Sequence, residues 1–123
     1  MRSAILIAHR LIFVALLGFT LFHALEPGAS GVGGLSDKFW HFLAFYVLSL
    51  SAACAAPRLN LALLAGAMLG FGLVIEGLQR LPAIGRSASL LDVLAGVAGI
   101  CAALLPALVM RWRARCSRPG GGD

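Results

Sequence analysis

Charged residues are scarce in this chain, and acidic residues are the scarcest. Only 12% of the 123 residues are charged, five of them acidic, whereas 60% are hydrophobic. The mean hydropathy is +0.94. Because soluble globular domains carry about twice this share of charge, the composition excludes an ordinary soluble domain. The sequence predicts a single domain that lies in a lipid bilayer.

Local patterns typical of nucleophilic catalysis, nucleotide binding and metal binding are also lacking. No segment resembles a Ser-His-Asp or Cys-His arrangement, and the glycines lack the order of a phosphate-binding loop. The cysteines, Cys54, Cys101 and Cys116, are odd in number and do not have metal-ligand spacing. His23 could join other acidic and histidine side chains around a metal, but local ligand spacing is absent. The sequence therefore predicts no cofactor and no metal.

The basic residues give the chain a formal charge of +5, which raises the question of nucleic acid as a partner. No basic stripe interleaved with aromatic residues is present, so nucleic acid is not predicted. Six of the ten basic residues lie near the two ends of the chain, where they indicate membrane topology and anchoring to anionic lipid. These six are Arg2, Arg10, Arg111, Arg113, Arg115 and Arg118.

Four apolar runs are each long enough to cross about 30 Å of hydrocarbon as a helix. The predicted fold class is all-α, an integral membrane bundle with spans near residues 8–25, 39–56, 59–78 and 90–110. Residues 1–110 then form the membrane domain and residues 111–123 a basic tail. A cleaved signal peptide is the alternative for the first run, because it has a basic start and a short apolar core.

Small residues recur every four positions in two of these spans. Ala62, Gly66 and Gly70 have this spacing in the third span, and Ala95 and Gly99 have it in the fourth. Such spacing lets two helix backbones approach closely in lipid. It predicts tight helix packing and would permit a homodimer.

The distribution of arginines predicts the orientation of the bundle. Four spans place both termini on one side, which holds seven arginines against Lys38, Arg80 and Arg86 on the other. The positive-inside rule therefore places both termini in the cytoplasm and the loops at 26–38 and 79–89 outside.

Polar residues collect at the ends of the spans that meet these two outward loops. A carboxylate in hydrocarbon costs a few kcal/mol unless a counter-charge or hydrogen bonds meet it, so such residues point to a function. We expect Lys38 and His41 to lie near Glu76, and Arg86 to lie beside Asp92. The predicted ligand-binding site comprises Asp37, Lys38, His41, Glu76, Gln79, Arg86 and Asp92.

Two chemical interpretations of this cluster stay open. A carboxylate within reach of a histidine, with basic groups alongside, can transfer a proton or hold a phosphate or carboxylate group, and His41, Glu76 and Asp92 are the catalytic candidates. The same residues can form a plain structural ion-pair network. The outward ends of the spans carry three acidic residues and three basic ones, namely Asp37, Glu76 and Asp92 and Lys38, Arg80 and Arg86. Because these charges can neutralise one another, the equal numbers favour the structural interpretation.

Two segments resemble the VanZ-like family of small bacterial membrane proteins, named for a teicoplanin-resistance accessory protein. They are DKFWHFLAF at 37–45 and EGLQRLPAIGRSASLLDVLAG at 76–96. The family's Asp-Lys pair, following His, Glu-x-x-Gln pair, Arg and Asp match the seven residues of the predicted site. The chain departs from the pattern at Phe45, where the family often has Tyr, and at Gly96, where it often has Asn.

The resemblance implies a multi-pass protein of the bacterial cytoplasmic membrane, linked in some members to glycopeptide resistance. It brings no established reaction. Our leading hypothesis is an outward cluster that binds an anionic lipid or lipid-linked headgroup, with Lys38 and Arg86 as the anion contacts. One alternative is a membrane enzyme that uses His41 and Glu76 as acid and base on an envelope lipid. Another is a structural bundle or partner subunit.

Overall fold

The computed structural model describes residues 2–27, 36–86 and 89–117, and these residues form an all-helical chain without strands. The prediction of an all-α fold is confirmed. Its four helices are α1 (Arg2–Leu25), α2 (Asp37–Ala55), α3 (Leu61–Gln79) and α4 (Leu90–Cys116).

A polar residue stands immediately before each of α2, α3 and α4. The side chains of Ser36, Asn60 and Ser89 accept hydrogen bonds from free backbone N–H groups in the first turns of α2, α3 and α4. Ser36 and Ser89 are caps that the sequence predicts. Ser87, which is also of a capping residue type and lies shortly before α4 in the sequence, is outside the described residues.

Two helices are longer than the sequence predicts. Helix α1 begins at Arg2 rather than near residue 8, and α4 continues to Cys116 rather than ending near residue 110. Pro106 lies inside α4 without ending it. A proline removes only one backbone hydrogen bond, and the following RWRARC segment contains arginines that favour helix.

Consecutive helices run in alternating directions, and two arginines show which ends meet. Arg10 in α1 donates to the Ala55 carbonyl at 3.4 Å. Arg111 in α4 donates to the carbonyls of Pro57 and Leu59 at 3.0 and 3.1 Å. The amino end of α1 and the carboxyl end of α4 therefore lie at the α2–α3 turn, and the polar residues lie at the opposite end of the bundle.

Helix α2 is central and packs most extensively against α4. Their closest approach is at Gly99, which faces the backbone of Phe42 and Tyr46. The core between the helices consists of aliphatic and aromatic side chains, chiefly Phe45, Leu48, Leu64, Met68, Ile75, Ile100 and Leu104.

The outer surface of the bundle is apolar. Leu11, Phe22 and Met110 are each at least 66% exposed, and no described residue of α1 is fully buried. All four helices are long and apolar enough to cross a membrane. A surface of this kind is unfavourable in water and favourable against lipid, so the fold indicates a multi-pass membrane protein.

Candidate functional site

All seven predicted site residues lie at one end of the bundle, where the start of α2, the end of α3 and the start of α4 meet, and six of them are buried or half-buried. Glu76, Gln79 and Asp92 are 4%, 3% and 4% exposed. Asp37, His41 and Arg86 are half-buried. Lys38 is exposed in the first turn of α2 and forms no ion pair among the described residues.

In one half of the site, Gln79 and Arg86 form hydrogen bonds that connect the end of α1 to the rest of the bundle. Arg86 donates to the Asp37 carboxylate at 2.9 Å and to the His23 and Ala24 carbonyls at 3.2 and 3.4 Å. Gln79 donates to the same Ala24 carbonyl at 2.8 Å. The last carbonyls of a helix lack partners within it, so these donors satisfy the end of α1. Arg86 thus pairs with Asp37 and not with Asp92.

The other half of the site contains carboxylate oxygens without partners. Glu76 Oε1 and Asp92 Oδ1 are buried and accept no hydrogen bond from the described residues. Asp92 lies in the first turn of α4, where the helix dipole stabilises a negative charge. A buried polar atom left without a partner costs about 1–3 kcal/mol, and more for a charged group. These two oxygens are therefore available to a ligand.

His41 lies between the two halves. Its Nε2 atom is 3.9 Å from Asp37 Oδ2, one helical turn away. His41 lines one small cavity together with Glu76 and Asp92. One ligand atom each from Asp37, His41 and Asp92 lies within 4.8 Å of the other two. The acid–base pair that the sequence predicts, His41 with Glu76, is therefore brought into the same region.

The charge balance expected from the sequence is not achieved inside the bundle. Lys38 and Arg80 are exposed, so they do not neutralise the buried carboxylates by direct contact. Arg86 is the one cation that pairs with a site carboxylate among the described residues, apart from His41 when protonated. The interior of the site therefore carries more acidic than basic groups.

Two cavities adjoin the site. The outer cavity, of about 220 Å³, lies between α1, α2 and α3, and its rim includes Phe19, which is 62% exposed. It is lined by Phe19, Thr20, His23, Ala24, Asp37, Trp40, His41, Ala44, Phe45, Ile75, Gln79 and Arg86. The inner cavity, of about 10 Å³, lies between α2, α3 and α4, with His41, Glu76 and Asp92 as its polar lining. His41 lines both cavities.

Sequence reasoning placed only loop-proximal polar residues in the site and missed the contribution of α1 to the outer cavity. Phe19 and Thr20 line this cavity, and so does Trp40 of α2. Thr20 and His23 are the only polar residues between Leu11 and Leu25, which is a signal that could have placed this helix face at the site. His23 pairs with Glu26 at 3.3 Å and is not among the three clustered ligand atoms.

This arrangement can bind an amphiphilic ligand, transfer a proton through His41, or hold a cation between carboxylates. In comparisons with known proteins, no family model, curated protein or solved structure matches the chain. The function of the chain is therefore inferred from the geometry of its site.

Proposed function

We propose that the chain is a VanZ-like multi-pass protein of the bacterial cytoplasmic membrane whose outer cavity binds the headgroup of an anionic lipid or lipid-linked envelope precursor. The observation that carries this proposal is the composition of the outer cavity. Asp37, His41 and Arg86 give it a polar end, and Phe19 and Trp40 give it apolar walls. A cavity with one polar end and apolar walls suits a ligand with the same division.

The size of the outer cavity favours a headgroup over a whole lipid. About 220 Å³ lies below the range of pockets that enclose drug-sized molecules. An attached acyl or prenyl chain would extend along the apolar surface of the helices, where Phe19 and Phe22 are exposed.

The orientation that we propose places this cavity outside the cytoplasm. The arginine-rich ends and the α2–α3 turn share one end of the bundle, and the site lies at the other. The positive-inside rule then directs the site to the outer leaflet, where envelope precursors are used and where a glycopeptide antibiotic acts. Reduced susceptibility to teicoplanin is the phenotype that this proposal entails.

Binding can be tested by filling the outer cavity. Ala44 lines it without hydrogen-bonding through its side chain, so Ala44→Phe should occupy the space that a headgroup needs. Ala102→Phe, on the exposed surface of α4, introduces the same side chain away from the cavity. We expect Ala44→Phe in nanodiscs to lose at least about tenfold in affinity for phosphatidylglycerol or a polyprenyl-diphosphate sugar, equivalent to about 1.4 kcal/mol, while Ala102→Phe binds as the wild type does.

Comparing the affinities for the two lipids shows which of the two headgroups the protein binds. Equal affinities of the wild type and both variants for both lipids would contradict the proposal. Teicoplanin susceptibility of cells expressing each protein at equal levels provides the corresponding measurement in vivo. Only Ala44→Phe is expected to lose any protection that the wild type confers.

The Oε1 atom of Glu76, unpartnered among the described residues, favours a second function, acid–base catalysis on an envelope lipid. His41 and Glu76 both line the inner cavity. A group that titrates next to a second titratable group can serve as general acid or base. In this case the wild type turns over lipid in nanodiscs and His41→Gln does not, whereas a binding protein shows no turnover in either form.

A further inference from the structure

The buried carboxylates of the site are better matched to a cation than to an anion. Asp37 is satisfied on one oxygen by Arg86, but Asp92 Oδ1 and Glu76 Oε1 accept no hydrogen bond among the described residues. Asp92 and Glu76 are each 4% exposed, so water does not replace the missing partner at the surface. A buried carboxylate oxygen without a partner costs free energy, and a metal ion bound there offsets that cost.

We propose that Asp37, His41 and Asp92 form a binding site for a divalent transition-metal ion. One ligand atom from each residue lies within 4.8 Å of the other two. Ligand atoms about 2.0–2.2 Å from a tetrahedral metal are about 3.4 Å apart. Side-chain movements of about 1 Å therefore bring the three atoms onto one ion, without any change of the helices that carry them.

The ligand types select the class of metal. An imidazole nitrogen with two carboxylate oxygens suits Zn²⁺ and its neighbours Mn²⁺ and Co²⁺. Mg²⁺ and Ca²⁺ prefer all-oxygen sites, and monovalent copper prefers sulfur ligands. The cysteines do not belong to this cluster.

Neighbouring groups are placed to support the three ligands. Arg86 holds Asp37 Oδ1 at 2.9 Å, and Asp37 Oδ2 is the oxygen closer to His41. A charged partner that fixes a ligating carboxylate in this way is typical of the outer shell of metal sites. Glu76 and Asp92 line the inner cavity, whose volume of about 10 Å³ is close to the space that one water molecule requires.

A metal ion at this site would take part in binding the headgroup, and this part of the inference rests on the proposed function. Asp37 and His41 also line the outer cavity, so a metal bound to them has an open side towards a headgroup placed there. A divalent cation supplies the positive charge that a phosphate headgroup needs next to three carboxylates. Metal binding itself requires no lipid and is tested without it.

Stoichiometric metal uptake is the decisive measurement. The full chain is purified in detergent micelles, stripped with a chelator and titrated with Zn²⁺ against a competing indicator. We expect one Zn²⁺ per chain, and at least a tenfold loss of affinity in both His41→Gln and Asp92→Asn, since even outer-shell changes cost about 10–100-fold. His9→Gln is the matched control, because His9 lies on α1 and bonds the Ile5 carbonyl at 2.8 Å.

Two further measurements distinguish loss of the metal site from unfolding of a variant and from metal binding by cysteine thiols. The visible absorption of bound Co²⁺ reports nitrogen and oxygen coordination in the wild type and requires no substitution in the site. The titrations are repeated with Cys54, Cys101 and Cys116 all replaced by serine. No stoichiometric Zn²⁺ in the wild type, or equal affinity in His41→Gln and His9→Gln, would overturn the metal site.

Lipid binding with and without Zn²⁺ separates this inference from the proposed function. Zn²⁺ uptake without binding of phosphatidylglycerol or polyprenyl-diphosphate sugar supports the metal site and contradicts the proposed function. Lipid binding by a protein that takes up no Zn²⁺ contradicts the metal site alone.

Discussion

Phe45 and Gly96 are the two positions at which the chain departs from the VanZ-like pattern, and they lie in contact. A Cβ atom added at Gly96 would lie 3.0 Å from Cδ2 of the Phe45 ring. A Cβ atom added at Gly72 would lie 3.0 Å from Cζ of the same ring. The ring is 4% exposed and fills the space left by the two glycines. The two departures therefore belong to one packing arrangement between α2, α3 and α4.

Introducing at position 45 the tyrosine that the VanZ-like pattern often has tests this arrangement. The added hydroxyl would be attached at Cζ, the ring atom that lies 3.0 Å from a Cβ built at Gly72, and overpacking a well-packed core costs about 1–3 kcal/mol. We expect Phe45→Tyr to lower the free energy of unfolding in micelles by about that amount. Phe39→Tyr makes the same change at a side chain that is 43% exposed and should leave stability unaltered. Equal stability of the two variants would show that the space beside Gly72 can be enlarged without cost.

Helix packing uses only one of the two small-residue patterns within the described chain. At Gly99 of α4 an added Cβ would overlap the Phe42 carbonyl oxygen and lie 2.9 Å from the Tyr46 nitrogen. At Gly66 and Gly70 of α3 an added Cβ would meet nothing within 4 Å. The close approach that the sequence predicts is therefore confirmed for α4 against α2, and the α3 pattern faces outwards.

Alanine substitutions distinguish these two helix surfaces. Gly99→Ala must separate α2 from α4, because the atoms that it meets are backbone, and should lower the free energy of unfolding by at least about 1–3 kcal/mol. Gly70→Ala has the room it needs and should be neutral or stabilising by up to about 1 kcal/mol, because alanine favours helix. Denaturant titration of both variants in micelles measures the difference. Loss of stability in Gly70→Ala would instead indicate that α3 packs against another copy through this surface.

The whole molecule places its arginine-rich ends and its polar site at opposite ends of the bundle. Arg10 and Arg111 both bond the α2–α3 turn, while Arg86 and Asp37 pair at the far end. Because the arginines and the site lie at opposite ends, the positive-inside rule predicts opposite sides of the membrane for them. The compartment that the site faces in the proposed orientation can be measured directly.

Cysteine labelling in intact cells measures that direction. Ala83→Cys introduces a thiol at an exposed position of the α3–α4 connection, and Cys116 supplies one at the end of α4. In proteins in which the other cysteines are replaced by alanine, an impermeant maleimide should label position 83 and leave Cys116 unlabelled until the cells are opened. The reverse pattern would place the site in the cytoplasm and contradict the proposed orientation.

Local chemistry was sufficient to predict the helices from the sequence. Long apolar runs, the serine caps at positions 36 and 89, and the polar break after Gln79 define the four helices, because these signals act within a few residues of the backbone that they control. The helical continuation through 111–116 was missed, since arginine is compatible with both a solvated tail and a helix.

The partners of the polar residues were decided only by the tertiary structure. Asp37, Arg86 and Asp92 are far apart in sequence, and which carboxylate Arg86 pairs with depends on how α1 and α4 pack against α2. The same packing exposes Lys38, buries Glu76 and brings His41 between two carboxylates. Residue types and spacing determined that a polar site exists at one end of the bundle; long-range packing determined which of its charges are satisfied and which remain available.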